Sequence, residues 1–446
     1  MELRDLIVTP IIIALVYTGA YLIRPYVTDQ ITRRYFMPAL TVRIIGALAL
    51  GFIYQFYYDG GDTFNYHTHG SRVIWEAMMA SPIQGLKLFW MEPGDYSGVY
   101  AYASKILFIS DPDSYFVIKL AAILDLFTFS SYAATATLFA LLSFVGAWMM
   151  YLVFYRRFDS MHFPFAVAIL FIPSVVFWGS GLLKDSVVLS CLGILLYSLD
   201  QMQQRRFSIG AILLLVISAW IIFSVKKYVL MCFLPASLIW LFGSYLITSR
   251  SFTFRILAVP LFFLLTVGFG YWSVLKIGEA DPQYRLDNLA RTVKITAYDI
   301  GFYTGRDAGS RYSLGSLDGS FPSMVRLFPQ AVNVSLFRPY LWEVNNVLML
   351  LTALESLAML SLTILILTKV RSNIFRILSN PLLLFTVAFS LTFAFAVGVS
   401  SYNFGTLARY KIPLLPFYGI TLVLIHYSYK ENRDRKLALL EDTENS

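Results

Sequence analysis

The sequence predicts an all-α polytopic membrane protein, and three observations carry that prediction. Apolar residues make up 58% of the 446 positions and charged ones 14%, where soluble domains have about a quarter charged; mean hydropathy is +0.65. Several apolar runs reach the roughly 20 residues needed to cross the hydrocarbon core. Basic residues gather in every second connection between those runs, as orienting charges do. The net charge of +8 therefore reports orientation and lipid headgroups, and nucleic acid is not an expected partner. Cys191 and Cys232 both fall in apolar runs, so neither a disulfide framework nor a zinc site is expected.

Taken in order, hydropathy predicts about eleven spans, near 7–23, 39–57, 132–154, 163–179, 185–199, 209–224, 229–247, 256–275, 344–368, 382–399 and 412–428. The first lacks a basic leader and a small-residue cleavage site, and is read as a span rather than a signal peptide. Arg24, Arg33 and Arg34, Arg156 and Arg157, Arg205 and Arg206, Arg250 and Arg255, Lys369, Arg371 and Arg376, and Lys430 to Lys436 occupy alternate connections. The positive-inside rule places them in the cytoplasm and a short N-terminus outside. The whole of 1–446 reads as one membrane domain, with no internal repeat to suggest a repeat-built transporter.

Two long segments then fall on the outer face, 58–131 and 276–343. In the first, 62–79, 82–90 and 96–108 mix aromatics with scattered charges, as helices lying in the interface do. A more apolar helix over 113–129 carries Lys119 and Asp125. The second segment is rich in Gly, Arg, Asp and Tyr (Tyr284, Arg285, Asp287, Arg306, Asp307, Arg311, Tyr312) and is a candidate lid over the site.

The richest stretch is Tyr58-Asp59-Gly60-Gly61-Asp62, continuing through Tyr66, His67 and His69; it holds two of the chain's four histidines. The glycines permit a sharp turn, Asp62 stands where a helix N-cap belongs, and a regular helix from Thr63 to Met79 would put Asp62, Tyr66 and His69 on one face. Read functionally, this is the acidic edge of a site; read for stability alone, it is a turn and a cap. His67 and His69, with Asp59, are the residues a divalent metal ion would take, although two His at i and i+2 are weak evidence for one.

Cations gather on the same predicted face. The Gly179-Ser180-Gly181 hairpin leads to Lys184 and Asp185 at a helix start, where free N–H groups favour an anion. Lys226 and Lys227 occupy an outer turn against the orientation bias, which points to a bound anion or lipid phosphate. Arg338 either serves a ligand or pairs with Glu343, among aromatics that suit a membrane belt. Glu355 is a carboxylate inside a span, functional by default. Arg409 offers a planar fork and Lys411 a point charge just before the last span.

A first large outer segment opening on acidic residues and carrying interfacial helices resembles the GT-C superfamily of membrane glycosyltransferases. Arg409-Tyr410 followed by Pro413 and Pro416 is similar to the late-span element of several of its families. The stretches Pro173 to Asp185 and Asn403 to Tyr410 also look like bacterial envelope-polysaccharide membrane proteins, including O-antigen-polymerase-like ones. The resemblance implies a multi-pass protein of the bacterial cytoplasmic membrane. It implies transfer of a sugar from a polyprenyl-phosphate-linked donor to a glycan, lipid or protein acceptor on the outer face.

That chemistry needs a carboxylate as general base and cations around the departing phosphate. Asp62, then Asp59, is the expected base; Lys184, Lys227, Arg338, Arg409 and Lys411 are the expected phosphate ligands, with Tyr66 and His69 beside them. Two alternatives stay open: a polymerase joining lipid-linked repeat units, and a transporter or flippase of lipid-linked sugars. The last would rely on charges buried among the spans, such as Asp125 and Glu355.

Overall fold

The computed structural model describes residues 2–91, 94–204, 208–248, 268, 275, 285–304, 309–370 and 380–444. Regular structure among these residues is helical, and the one β-type pairing is an isolated antiparallel bridge between Arg311 and Asn403. Two compact units divide the chain, Met1–Lys227 and Tyr228–Ser446.

The first unit holds α1 (Leu3–Val27), α2 (Arg33–Phe56), α3 (Asp62–Tyr66), α4 (Arg72–Ala80), α5 (Pro82–Trp90), α6 (Tyr100–Ala103), α7 (Pro112–Thr128), α8 (Tyr132–Tyr155), α9 (His162–Leu170), α10 (Pro173–Trp178), α11 (Lys184–Gln203) and α12 (Ile209–Val225). α13 (Lys227–Thr248) begins on its last residue. α8 is the buried centre, and α1 faces mostly outward. α8 and α11 touch backbone to backbone: a Cβ on Gly146 would lie 2.2 Å from the Ser190 carbonyl oxygen, and one on Gly193 2.0 Å from that of Gly146. Where the surroundings are hydrocarbon, such small-residue contacts supply much of helix association.

This unit has two chemically different ends. At one, Arg24 donates to the Arg33 carbonyl (3.0 Å), Arg34 meets His162 (3.2 Å), Tyr155 donates to Asp29 (2.7 Å) and Arg157 pairs with Asp200. At the other, Asp5 of α1 accepts from Ser131 (2.7 Å) at the α7–α8 corner, and Lys184, Lys226 and Lys227 meet aspartates. The alternation of basic connections along the sequence is thus a separation in space for the described residues of this unit. Arg205, Arg206, Arg250 and Arg255 lie outside them.

The second unit holds the rest of α13, then α14 (Leu286–Asp299), α15 (Phe321–Arg326), α16 (Phe328–Phe337), α17 (Val347–Val370), α18 (Pro381–Ser401), α19 (Phe404–Tyr410) and α20 (Leu414–Glu444). Its core is aromatic: Phe233 packs edge-on to Phe385 (5.6 Å), and Phe389 lies 4.5 Å from Phe417 between ring centroids.

Seven helices among the described residues are long and apolar enough to cross a membrane, or eight if the bent pair α19 and α20 forms one span. The expected span over 163–179 is instead two short helices. Pro173 has no N–H to extend α9 and forces Ile172 into an extended conformation (φ −64°, ψ 123°), so the chain breaks there. α12 is apolar but has only 17 residues, and 256–275 lies, save for two residues, outside the described ones. In the first long segment the expected helix over 96–108 shrinks to α6 and turns.

The backbone contact of α8 with α11 makes Gly193→Leu and Gly146→Leu the substitutions least tolerated in this unit. Either is expected to reduce the yield of folded, monodisperse protein in detergent severely. Gly19→Leu, where a Cβ meets nothing within 4 Å, is the matched control and leaves the yield unchanged.

Candidate functional site

The acidic stretch folds differently from a regular amphipathic helix. Gly61, at φ 123°, is the N-cap, and its carbonyl accepts the amides of Phe64 (3.0 Å) and Asn65 (2.9 Å). Asp62 is therefore the first helical residue, where a carboxylate still faces the positive helix end. The positive φ at Gly61 explains the displacement by one residue, since glycine turns the chain there more easily than aspartate. Asp59 also takes positive φ (53°) and stands exposed.

The helix then widens into a π turn at His67–Ser71, with His69 off helical geometry (φ −103°, ψ 23°). The extra residue rotates His69 off the face of Asp62 and Tyr66. Tyr66 is buried against Phe108 (5.3 Å), His67 is fully buried, and His69 is exposed. The three residues suggested for a metal, Asp59, His67 and His69, are not brought together, and no cluster of three or more His, Cys, Asp or Glu suited to a metal exists among the described residues.

The cations and carboxylates that do converge are Lys184, Lys226 and Lys227 with Asp111, Asp113 and Asp185. Asp111 caps α7 through the Asp113 amide (3.2 Å), and its other oxygen accepts from Ser114 and from Lys184 Nζ (3.2 Å). Lys227 Nζ reaches Asp113 Oδ1 at 2.9 Å, and Lys226 pairs with Asp185. The cap brings the return of the first long segment onto the start of α11 and the α12–α13 turn. Partial burial alone would raise the Asp111 carboxyl, but the Ser114 hydrogen bond and the Lys184 ammonium outweigh it and hold it below the usual carboxylate range.

Burial divides these pairs. Lys226 and Asp185 are almost wholly enclosed, whereas Asp111 and Asp113 keep 47% and 26% of their side chains exposed. The enclosed pair is architectural. The two open pairs keep their carboxylates partly at the surface, where another anion can compete with them for the lysines. Asp62 is linked to this end by packing on two sides. Tyr66 sits on Phe108, just before Asp111, and Tyr54, against which Gly61 turns, packs on Trp178 (6.3 Å), just before the hairpin to Lys184.

Arg43 was not singled out by its sequence context, a lone cation in an apolar run. It is 1% exposed within α2, and its Nη1 donates to Ser143 Oγ (2.9 Å) and to the carbonyls of Val175 and Gly179 (both 3.2 Å). Among the described residues it has no carboxylate partner. Its charge sits at the negative end of α10 and holds the hairpin that leads to Lys184.

In the second unit, Arg338 pairs with Glu343 through Nε (3.0 and 3.1 Å) and lies over the rings of Phe404 (5.3 Å), Tyr312 (5.8 Å) and Tyr340 (5.9 Å). Burial alone would raise Glu343, yet hydrogen bonds from Arg338 and the Tyr340 amide hold it low. Lys411 is 1% exposed, with Nζ 3.4 Å from Ser356 Oγ and Glu355 within electrostatic reach. Arg409, at the end of α19, is half-buried, and Asn403 caps that helix through Gly405 (2.7 Å). The segment around Ser310 to Tyr312 is fastened here, Tyr312 donating from its hydroxyl to the Gly398 carbonyl (2.9 Å) and from its amide to Tyr402 (3.1 Å). Tyr284, Arg306 and Asp307 lie outside the described residues. Asp62 and Arg409 belong to different units.

No family model, no curated protein and no solved structure matches this chain.

Two substitutions test the architecture of the site. Lys226→Ala leaves Asp185 buried without its ammonium and is expected to cost about 3–5 kcal/mol of stability, while Lys226→Ala with Asp185→Ala recovers much of the loss; thermal unfolding of the purified variants reads both. Arg43→Ala is expected to lower the melting temperature and to expose the 179–183 hairpin to hydrogen exchange, because two carbonyls and Ser143 lose their donor.

Proposed function

We propose that the chain is a membrane glycosyltransferase that moves a sugar from a polyprenyl-phosphate-linked donor to a glycan, lipid or protein acceptor. The observation that carries this reading is the pair of open ion pairs, Lys184 with Asp111 and Lys227 with Asp113, at one end of an apolar bundle. A phosphate arriving from the lipid replaces the carboxylates on the two ammonium groups, and the displaced aspartates stay within reach of the same spot. The acceptor hydroxyl attacks the anomeric carbon, the bond from that carbon to the phosphate oxygen breaks, and the phosphate departs with the electron pair. Lysine charge stabilises that departure. The hydroxyl proton passes to a carboxylate, for which Asp62 and the freed Asp111 or Asp113 are the candidates.

The finer topology belongs to the same proposal. The gathering of Arg24, Arg34 and Arg157 at the end opposite the lysine–aspartate pairs supports placing those pairs outside and these arginines in the cytoplasm of a bacterial inner membrane. About eleven spans are reached when α9 with α10, α12 and 256–275 are counted as crossings. α4 and α5, which present Met79, Ile83, Leu86 and Trp90 outward beside Lys87, suit the membrane interface. A second reading, a transporter of lipid-linked sugars, is favoured by one observation, the wholly buried Asp125 beside His67.

Purified protein in detergent, offered polyprenyl-phosphate and polyprenyl-pyrophosphate sugars, decides between them. Lys184→Ala with Lys227→Ala is expected to cut turnover by about 10²-fold or more, and Arg34→Ala at the opposite end to leave it unchanged. Asp62→Asn, Asp111→Asn and Asp113→Asn, compared singly, identify the base. Turnover that survives loss of both lysines overturns the assignment; absence of turnover with vesicle uptake of the same lipids favours the transporter.

A further inference from the structure

The two open ion pairs share more than exposure. Asp111 and Asp113 stand two residues apart, at the cap and in the first turn of α7. Their lysines come from different elements: Lys184, 3.2 Å from Asp111, opens α11, and Lys227, 2.9 Å from Asp113, opens α13. The pairs adjoin, since Lys184 lies within electrostatic reach of Asp113 and Lys226 as well as of its own partner. The enclosed Lys226 is met by Asp185. A linked pair of carboxylates thus faces two separately held ammonium groups.

That linkage decides what displaces the carboxylates. While Lys227 keeps Asp113, the start of α7 stays docked and Asp111 remains close to Lys184, and the reverse holds equally. A ligand with one anionic group replaces one carboxylate and then competes against its tethered return. A short tether keeps the local concentration of the returning group on the order of millimolar or above. A ligand whose two anionic groups are joined to each other meets both lysines in one event, and has the advantage of the aspartates it replaces. Both carboxylates are already partly at the surface, so their release carries no charge into the apolar interior.

Charge points the same way. A sugar joined to a lipid through one phosphate is a diester with a single negative charge, which answers one of the two lysines. Joined through a diphosphate it carries two, one on each phosphate, and answers both.

We infer that Lys184 and Lys227 bind a diphosphate, one ammonium group to each phosphate, so that the donor of the proposed reaction is a polyprenyl-diphosphate-linked sugar. The inference deepens the sugar-transfer reading and rests on its placing of the donor at these lysines. Asp111 and Asp113 are the site's own competitors: they hold the lysines until a donor arrives and are released together. The acceptor oxygen then bonds to the anomeric carbon, the bond from that carbon to the nearer phosphate breaks, and the lipid diphosphate leaves with the electron pair. The hydroxyl proton passes to a carboxylate.

The test is calorimetric binding to the purified full chain in a non-ionic detergent at low salt, with no acceptor present. The probes are glucose joined to farnesol through one phosphate, the same pair joined through a diphosphate, and inorganic pyrophosphate. The diphosphate lipid is expected to bind about 10-fold or more tightly than the monophosphate lipid, as one further charge-assisted contact implies. Lys184→Ala and Lys227→Ala are each expected to bring it down to the level of the monophosphate. Asp113→Asn, which keeps the Asp111 cap, is expected to tighten diphosphate binding by about 2- to 5-fold, since the competitor it removes is a partly exposed ion pair. A carboxylate with only a structural role gives no such gain. Equal affinity for the two lipids overturns the inference, and so does weaker diphosphate binding in Asp113→Asn. If a variant does not fold, the comparison of the two lipids on the unaltered chain decides alone. Pyrophosphate bound as tightly as the diphosphate lipid supports the diphosphate site and assigns it to a soluble ligand. Diphosphate binding without sugar turnover sinks the sugar-transfer reading and leaves the diphosphate site standing.

Discussion

Charge cannot be left unanswered at the end of an apolar bundle, and the first unit is arranged around that constraint. Lys226 is enclosed and Lys184 and Lys227 are mostly enclosed, so each is met by an aspartate. Two of those aspartates, Asp111 and Asp113, come from the segment that leaves the bundle after α2. The segment must therefore return to the helix ends from which its partners project, and capping of α7 by Asp111 fixes the angle at which it does so. The same constraint, applied to the backbone, accounts for Arg43. The end of α10 leaves carbonyls that hydrocarbon cannot satisfy, and a guanidinium from α2 supplies the donors.

Much of this was legible in the chain. Apolar run length and alternating basic connections pointed to a polytopic helical protein, and lysines standing against the orientation bias pointed to a bound anion, where the structure gives them aspartates. Arg338 and Glu343 were readable as partners because they lie five residues apart in one aromatic stretch. What escaped the sequence depended on tertiary context. Pro173 inside an apolar run looks like any tolerated proline until Ile172 is seen extended before it. The π turn at His67–Ser71 leaves no compositional trace, so the regular wheel that grouped Asp62, Tyr66 and His69 was the natural expectation. Asp111 and Asp113 were not singled out by the sequence. Asp111 is the cap of α7 and Asp113 lies in its first turn, and their role as ion-pair partners appears only once Lys184 and Lys227 are placed beside them.

The two units treat cations differently. In the first, lysines face aspartates of which two remain accessible. In the second, Arg338 pairs with Glu343 beneath three rings with both side chains partly open, and Lys411 is sealed beside Ser356 with Glu355 in electrostatic reach. A sealed cation holds shape, so Lys411 is the one of these two that burial alone sets apart from ligand exchange.

Arg43 also bears on how the polypeptide is assembled. A guanidinium near the middle of a lone hydrophobic segment disfavours its insertion by about 2.5–3.5 kcal/mol. The donors' acceptors, Ser143, Val175 and Gly179, emerge from the ribosome 100, 132 and 136 residues later. Until then α2 is a reluctant occupant of the lipid, held in place by its neighbours or waiting beside the insertion machinery, and it settles only when the hairpin arrives.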